Sequence, residues 1–117
     1  MKKLWIASII SLCISTTVFS APNKADPSLA LRCHSAAIQM NDANQTQEST
    51  LCKYLISGSL FETAGIAITH NKDSIASMSL TLEINLLNYA KAMECNDSPL
   101  ISNALVEAAS IQRDLTA

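Results

Sequence analysis

Only two glycines and three prolines occur in 117 residues, and their placement leaves long stretches with nothing to interrupt a helix. Alanine, leucine, serine and glutamine fill those stretches. Their apolar members recur every three or four positions, the period of a helix face and not of a strand. Asp26-Pro27 and Ser98-Pro99 each set an N-cap residue before a proline at the first helical position, the signature of a helix start. The expected fold class is all-α, a small four-helix antiparallel bundle stapled by a disulfide.

The first helix opens at Asp26-Pro27, carries Leu29, Cys33, Ala36 and Met40 on one stripe, and stops in the polar run 41–44. Asn44 with Gln47 three residues on reads as a capping box, which predicts a second helix to about Thr69 with the stripe Tyr54, Gly58, Phe61, Gly65 and Ile68. Each glycine costs about 1 kcal/mol of helix propensity. Gly58 and Gly65 are therefore read as helix-packing positions where a neighbouring backbone comes close, with a bend as the next explanation. A third helix follows the turn at 70–73, capped by Asp73 or Ser74, and reaches about Cys95. It carries two apolar stripes, one of Ile75, Met78, Leu82, Leu86, Tyr89 and Met93, the other of Leu80, Ile84 and Leu87. Such a helix is central or covered by a partner. The fourth begins at Ser98-Pro99 and buries Leu100, Ala104, Ala108, Ile111 and Leu115.

Ahead of these helices, two lysines, a short apolar run and a small-residue cleavage site make up MKKLWIASIISLCISTTVFSA. The expectation is a secretory signal peptide at 1–20 and a single helical domain at 21–117, placed in the periplasm or secreted. The apolar run is too short for a stable membrane anchor, and Cys13 is filler within it. Without Lys2 and Lys3, six basic residues face ten acidic ones, a net charge of −4. Scattered bases of that number exclude nucleic acid as a partner.

Export permits a disulfide among Cys33, Cys52 and Cys95. If the first two helices form a hairpin turning near residues 42–43, Cys33 and Cys52 lie level across it. Cys52 and Cys95 would be offset by roughly 6 Å across the next turn. Cys33–Cys52 is the preferred pair and a bond to Cys95 stays open; otherwise Cys95 is free or intermolecular.

No catalytic site is expected. Cys33 and His34 are adjacent on a helix and point about 100° apart, which denies them a shared hydrogen bond. Cys33, His34, Cys52, His70 and Cys95 lack the short paired spacings of a metal site, so neither metal nor other cofactor is expected. Glu62, Glu83 and Glu94 are read as isolated acids on solvated faces. There is no phosphate-cradling glycine loop and no serine-nucleophile elbow. Asn44-Gln45-Thr46 matches a glycosylation acceptor, which is idle behind a leader of bacterial type.

The segment Leu51-Cys52-Lys53-Tyr54-Leu55-Ile56-Ser57-Gly58, with Cys33 upstream and Cys95 near Pro99, resembles the small periplasmic Rap/Tai immunity proteins that neutralise peptidoglycan amidases of type VI secretion. Cys52 and Gly58 keep the family's spacing, while Tyr54 stands one position early. The family's proline-rich C-terminal stretch and terminal cysteine have no counterpart here. The resemblance implies a non-enzymatic inhibitor of a secreted cell-wall amidase, a helical homodimer that inserts a loop into the enzyme's cleft. Candidate loop residues are Asn41, Asp42 and Asn44 in one turn and His70, Asn71 and Lys72 in the other. An acid-stress periplasmic chaperone is the alternative, as is an accessory or exclusion factor of an envelope secretion system.

Overall fold

The computed structural model describes residues 26–117, so the leader assigned to 1–20, with Cys13, lies outside the described residues. Helices α1 (Pro27–Asn44), α3 (Ser59–Thr69), α4 (Asp73–Ala92) and α5 (Ser98–Leu115) form the bundle, and a short α2 (Thr50–Leu55) joins α1 to α3. Each long helix touches two others: α1 and α4 both pack on α3 and α5, while α2 lies against α4. This is the expected all-α four-helix bundle, with the second expected helix broken in two.

The first helix begins as its sequence demands. The Asp26 carboxylate accepts from Ser28 N at 2.9 Å, Pro27 occupies the first turn, and Leu29, Cys33, Ala36, Ala37 and Met40 form the buried stripe. The expected capping box at Asn44 does not form, because α1 continues through Asn44 and Ser49 caps α2 instead, accepting from Cys52 N at 2.9 Å. Gln47 is buried, its amide donating to the Ala43 and Asn96 carbonyls at 3.1 Å each. Asn96 returns a 2.9 Å bond to the Thr46 carbonyl, joining the α1–α2 connection to the α4–α5 turn.

The break between α2 and α3 falls at residues 56–58, where Ile56 leaves helical geometry. Two asparagines one turn apart on α1 satisfy the backbone groups this frees. The Asn44 amide donates to the Lys53 and Ile56 carbonyls, and Asn41 Oδ1 accepts from Gly58 N at 3.1 Å. A methyl group at Gly58 would collide with the Ala37 carbonyl oxygen, and one at Gly65 would stand 2.9 Å from His34 Cε1 and 3.2 Å from Cys33 Cβ. Gly58 therefore meets the α1 backbone, the close approach expected of it, whereas Gly65 makes room for the His34 and Cys33 side chains of α1 and not for its backbone. The stretch Thr50–Thr69 reaches a mean hydropathy of 1.2 over an 18-residue window, but the break divides it into two helices.

The break also corrects the cysteine pairing. Cys52 is bonded to Cys95, with Cα atoms 5.7 Å apart, and Cys33 is a buried free thiol. The hairpin partner of α1 is α3, so Cys33 lies level with Gly65 and not with Cys52. The turn centres near residue 49, about six residues beyond the position read from the polar run. Meanwhile α2 is free to lie against the end of α4 and bring Cys52 to Cys95. A bond closing 43 residues of separation stabilises by about 4 kcal/mol in the chain-entropy view.

At the opposite side of α1, Arg32 reaches α5. Its guanidinium donates to both Glu107 oxygens at 2.9 and 3.1 Å, to Asp114 at 3.0 Å and to Ser110 Oγ at 2.9 Å. The Glu107 hydrogen bonds hold the Arg32 pKa above its ordinary value. The geometry is bidentate, but the groups are half-exposed, so the network orients α5 on α1 more than it stabilises the fold.

Candidate docking face and buried carboxyl

Helix α4 carries two apolar stripes, and the structure buries the one with the smaller side chains. Ala76, Ser79, Leu80, Glu83, Leu87 and Ala90 face the bundle. Ile75, Met78, Leu82, Tyr89 and Met93 point into solvent, with Met78 63% and Tyr89 64% exposed; Leu86 is half-buried between the two sets. Small residues on the inner face match Ala64 and Ala67 of α3 and Ala104 and Ala108 of α5, all buried, and so allow close helix approach. The larger stripe is left over. Tyr54 of α2, 71% exposed, and Ile66 of α3, 50% exposed, flank it. The expected Tyr54–Gly58–Phe61 stripe is thus corrected: the break at 56–58 puts Tyr54 out of phase with buried Gly58 and Phe61.

Glu83 is the second correction, because it sits on no solvated face. The residue is fully buried, and neither carboxylate oxygen has a hydrogen-bond partner. Burial pushes its pKa up to about 8, so at neutral pH the carboxyl is predominantly protonated. It lines a cleft of about 470 Å³ together with Lys53 and Tyr54 of α2, Ser59 and Leu60 of α3, and Leu82 and Leu86 of α4. The signal was present in the sequence: the inner stripe reads Ala76, Leu80, Glu83, Leu87, Ala90, with the acid at its centre. Glu62 instead contacts His34, Oε1 to Nδ1 at 3.0 Å, and Glu94 is exposed in the α4–α5 turn at φ 56°.

No family model matches the sequence, and neither a curated protein nor a solved structure matches it.

The two candidate loops differ. Asn41, Asp42 and Asn44 belong to α1, and the side chains of Asn41 and Asn44 are engaged on the α2–α3 break. His70, Asn71 and Lys72 form the tight turn at the tip of the α3–α4 hairpin and are exposed, with Asn71 in the left-handed region at φ 59°. His70 Nδ1 meets the Ile66 carbonyl at 2.9 Å, and a shallow, almost wholly apolar depression around Ile66, Ala67 and Ile75 adjoins the turn.

Burial pushes the Cys33 thiol up to about 11, which keeps it protonated and unreactive. Its neighbour His34 faces Glu62 and the Gly65 backbone, so the structure joins no Cys–His pair. Among the described residues, no group of three or more His, Cys, Asp or Glu side chains is placed to hold a metal ion. The described residues offer exposed apolar surface on α4, with the buried Glu83 carboxyl behind it.

Proposed function

We propose that this chain is an exported, non-enzymatic binding protein, an immunity protein that acts in the periplasm as a homodimer and inhibits a secreted peptidoglycan amidase. The observation that supports the reading best is the outward face of α4, which keeps five large apolar side chains in water while alanines fill the core behind it. Exposed apolar surface of that continuity marks a site for another polypeptide. Of the two loops the resemblance implies, the tip at 70–72 is the one free to enter an enzyme's cleft. The resembling segment 51–58 has a structural part here: Cys52 fastens α2 to Cys95, and Gly58 admits the α1 backbone.

An acid-stress chaperone must loosen in acid, and Glu83 acts in the other direction. A carboxyl whose pKa is raised by folding favours the folded state below its ordinary value near 4.5 and withdraws that support as the pH rises to about 8.

The test is periplasmic co-expression with the amidase encoded beside this gene. The full chain restores growth, and the double substitution Asn71→Asp with Lys72→Glu, whose first member tolerates the left-handed backbone at 71, abolishes protection while the fold is kept. A neighbouring amidase that kills equally with and without the protein would overturn the proposal.

A further inference from the structure

An acid at the centre of the inner stripe of α4 is a costly choice for packing alone. Leucine or methionine would fill the position between Leu80 and Leu87, whereas Glu83 is fully buried with both carboxyl oxygens unpartnered by any donor in the chain. No charge among the described residues compensates for it. Helices α2, α3 and α5 pack on α4, and their charged groups are engaged elsewhere: Glu107 and Asp114 of α5 hold Arg32, Arg113 donates to Ser110, and Glu62 of α3 meets His34. Asp73 and Lys91 lie at the two ends of α4. Lys53 and Tyr54 of α2 share the cleft with Glu83, yet neither bonds it. Desolvation alone accounts for its raised pKa.

The cleft supplies the rest of a binding site. Fully buried Glu83 lies at the floor of its roughly 470 Å³, half-buried Leu60 and Leu86 form walls, and Lys53, Tyr54 and Leu82 stand exposed on the rim. A path down to the carboxyl therefore opens by side-chain rotation without backbone movement. A carboxylate with no internal counter-charge, set beneath leucine walls, selects a group that brings the opposite charge on an apolar stem. An ammonium donates up to three hydrogen bonds, charge-assisted ones here, and a methylene chain behind it covers the leucines. An alcohol leaves the acid uncompensated, and a carboxylate opposes it. We propose that the cleft between α2, α3 and α4 binds a small primary amine on an apolar stem, its ammonium on the Glu83 carboxylate and its stem against Leu60, Leu82 and Leu86. Without a cation beside it the Glu83 carboxyl holds a proton at neutral pH, so each amine that binds there sends one proton to solvent. Binding at this cleft is independent of amidase inhibition, which is assigned to the tip at 70–72.

Calorimetric titration of the oxidised protein with hexylamine, hexan-1-ol and hexanoate tests the site. Hexylamine should bind at millimolar concentration or below, about tenfold more tightly at pH 7 than at pH 6 and levelling off above about pH 8. Close to one proton should be released per amine at pH 6–7, read from the dependence of the heat on the buffer's ionisation enthalpy. The alcohol and the carboxylate should bind at least about tenfold more weakly at pH 8.5, as expected when a charge-assisted bond is lost. Glu83→Gln keeps the shape and cannot ionise. It should lose at least about tenfold in hexylamine affinity at pH 8.5, together with the proton release and the pH dependence, while helical circular dichroism is unchanged; Glu83→Met should do the same. Leu60→Ala should weaken hexylamine severalfold and leave the proton release intact. No hexylamine binding at pH 8.5, an affinity no better than that of hexan-1-ol, an affinity independent of pH, or full affinity in Glu83→Gln would each overturn the proposal.

Discussion

The two faces of α4 share one backbone and one period, yet the bundle takes the face made of alanines, a serine, two leucines and a glutamate, and leaves outside the one made of isoleucine, methionine, leucine and tyrosine. Side-chain size explains the choice. An alanine-lined face lets α3 and α5 approach closely, and Leu80 and Leu87 then fill the space between them. The outer stripe has more apolar area to lose to water, but no neighbour in the chain is shaped to take it. Hydrophobicity identified both stripes as burial surfaces; packing decided which is buried by the chain itself.

Truncation on the two faces should therefore separate sharply. Leu80→Ala or Leu87→Ala empties a fully buried position and should cost about 2–5 kcal/mol of unfolding free energy. Leu82→Ala, made at an exposed position, should cost less than about 1 kcal/mol in the dilute monomer. Urea unfolding of the three variants reads the difference. Comparable losses at all three would mean that the faces are not distinguished by burial.

The inner face is imperfect at one point, and that point sets a pH dependence. Glu83 has its pKa raised by desolvation to about 8 in the folded chain, against 4.5 for an ordinary glutamate. The folded state therefore holds a proton that the unfolded state releases. Stability from this group is complete below about pH 4.5, declines as the pH rises, and is gone above about pH 8. Glu83→Met keeps the volume and removes the acid. It should gain about 2–4 kcal/mol above pH 8 and much less at pH 4, flattening the profile between them. A wild-type profile without that decline would place the carboxyl in contact with water.

The same face should resist enlargement. Ala76 and Ala90 are fully buried, and Ala76→Leu forces extra methylenes against the neighbouring helices at a cost of about 1–3 kcal/mol. Calorimetry of the variant against Ala92→Leu, the same exchange at an exposed position of α4, tests whether crowding and not the loss of alanine's helix propensity is responsible.

Helix number, the caps at Asp26 and Ser49 and the reason for two glycines illustrate different degrees of legibility. The Asp26-Pro27 start follows from local chemistry and stands as read. Gly58 and Gly65 advertised a close approach because their propensity cost had to be offset, and α1 is the helix that approaches, with its backbone at Gly58 and with the His34 and Cys33 side chains at Gly65. The Asn44 capping box was a local pattern overridden by tertiary bonds, since the Asn44 amide does more for the α2–α3 break than it could at a helix start. That break shifted the hairpin centre, and with it the cysteine pairing moved from Cys33–Cys52 to Cys52–Cys95. Glu83 shows the opposite failure. Its position in the inner stripe was legible from spacing, but a charged residue type suggested solvent, and only the packed bundle reveals that the acid is carried inside.

The smallest expected effect is also the one that best isolates the outer face. Met78→Gln and Tyr89→Gln replace exposed side chains on α4 with residues of good helix propensity that touch little of the core. Each should change the monomer's unfolding free energy by no more than about 0.5 kcal/mol. If the stripe served only as a chance excess of apolar surface, nothing else would change. If it is a docking face, both substitutions weaken dimerisation because each exchanges an apolar contact for an amide that must be desolvated. A shift in sedimentation without a shift in thermal unfolding at matched, dilute concentration is therefore the signature of a surface kept for association. A loss of stability without a change in association would return the stripe to the fold.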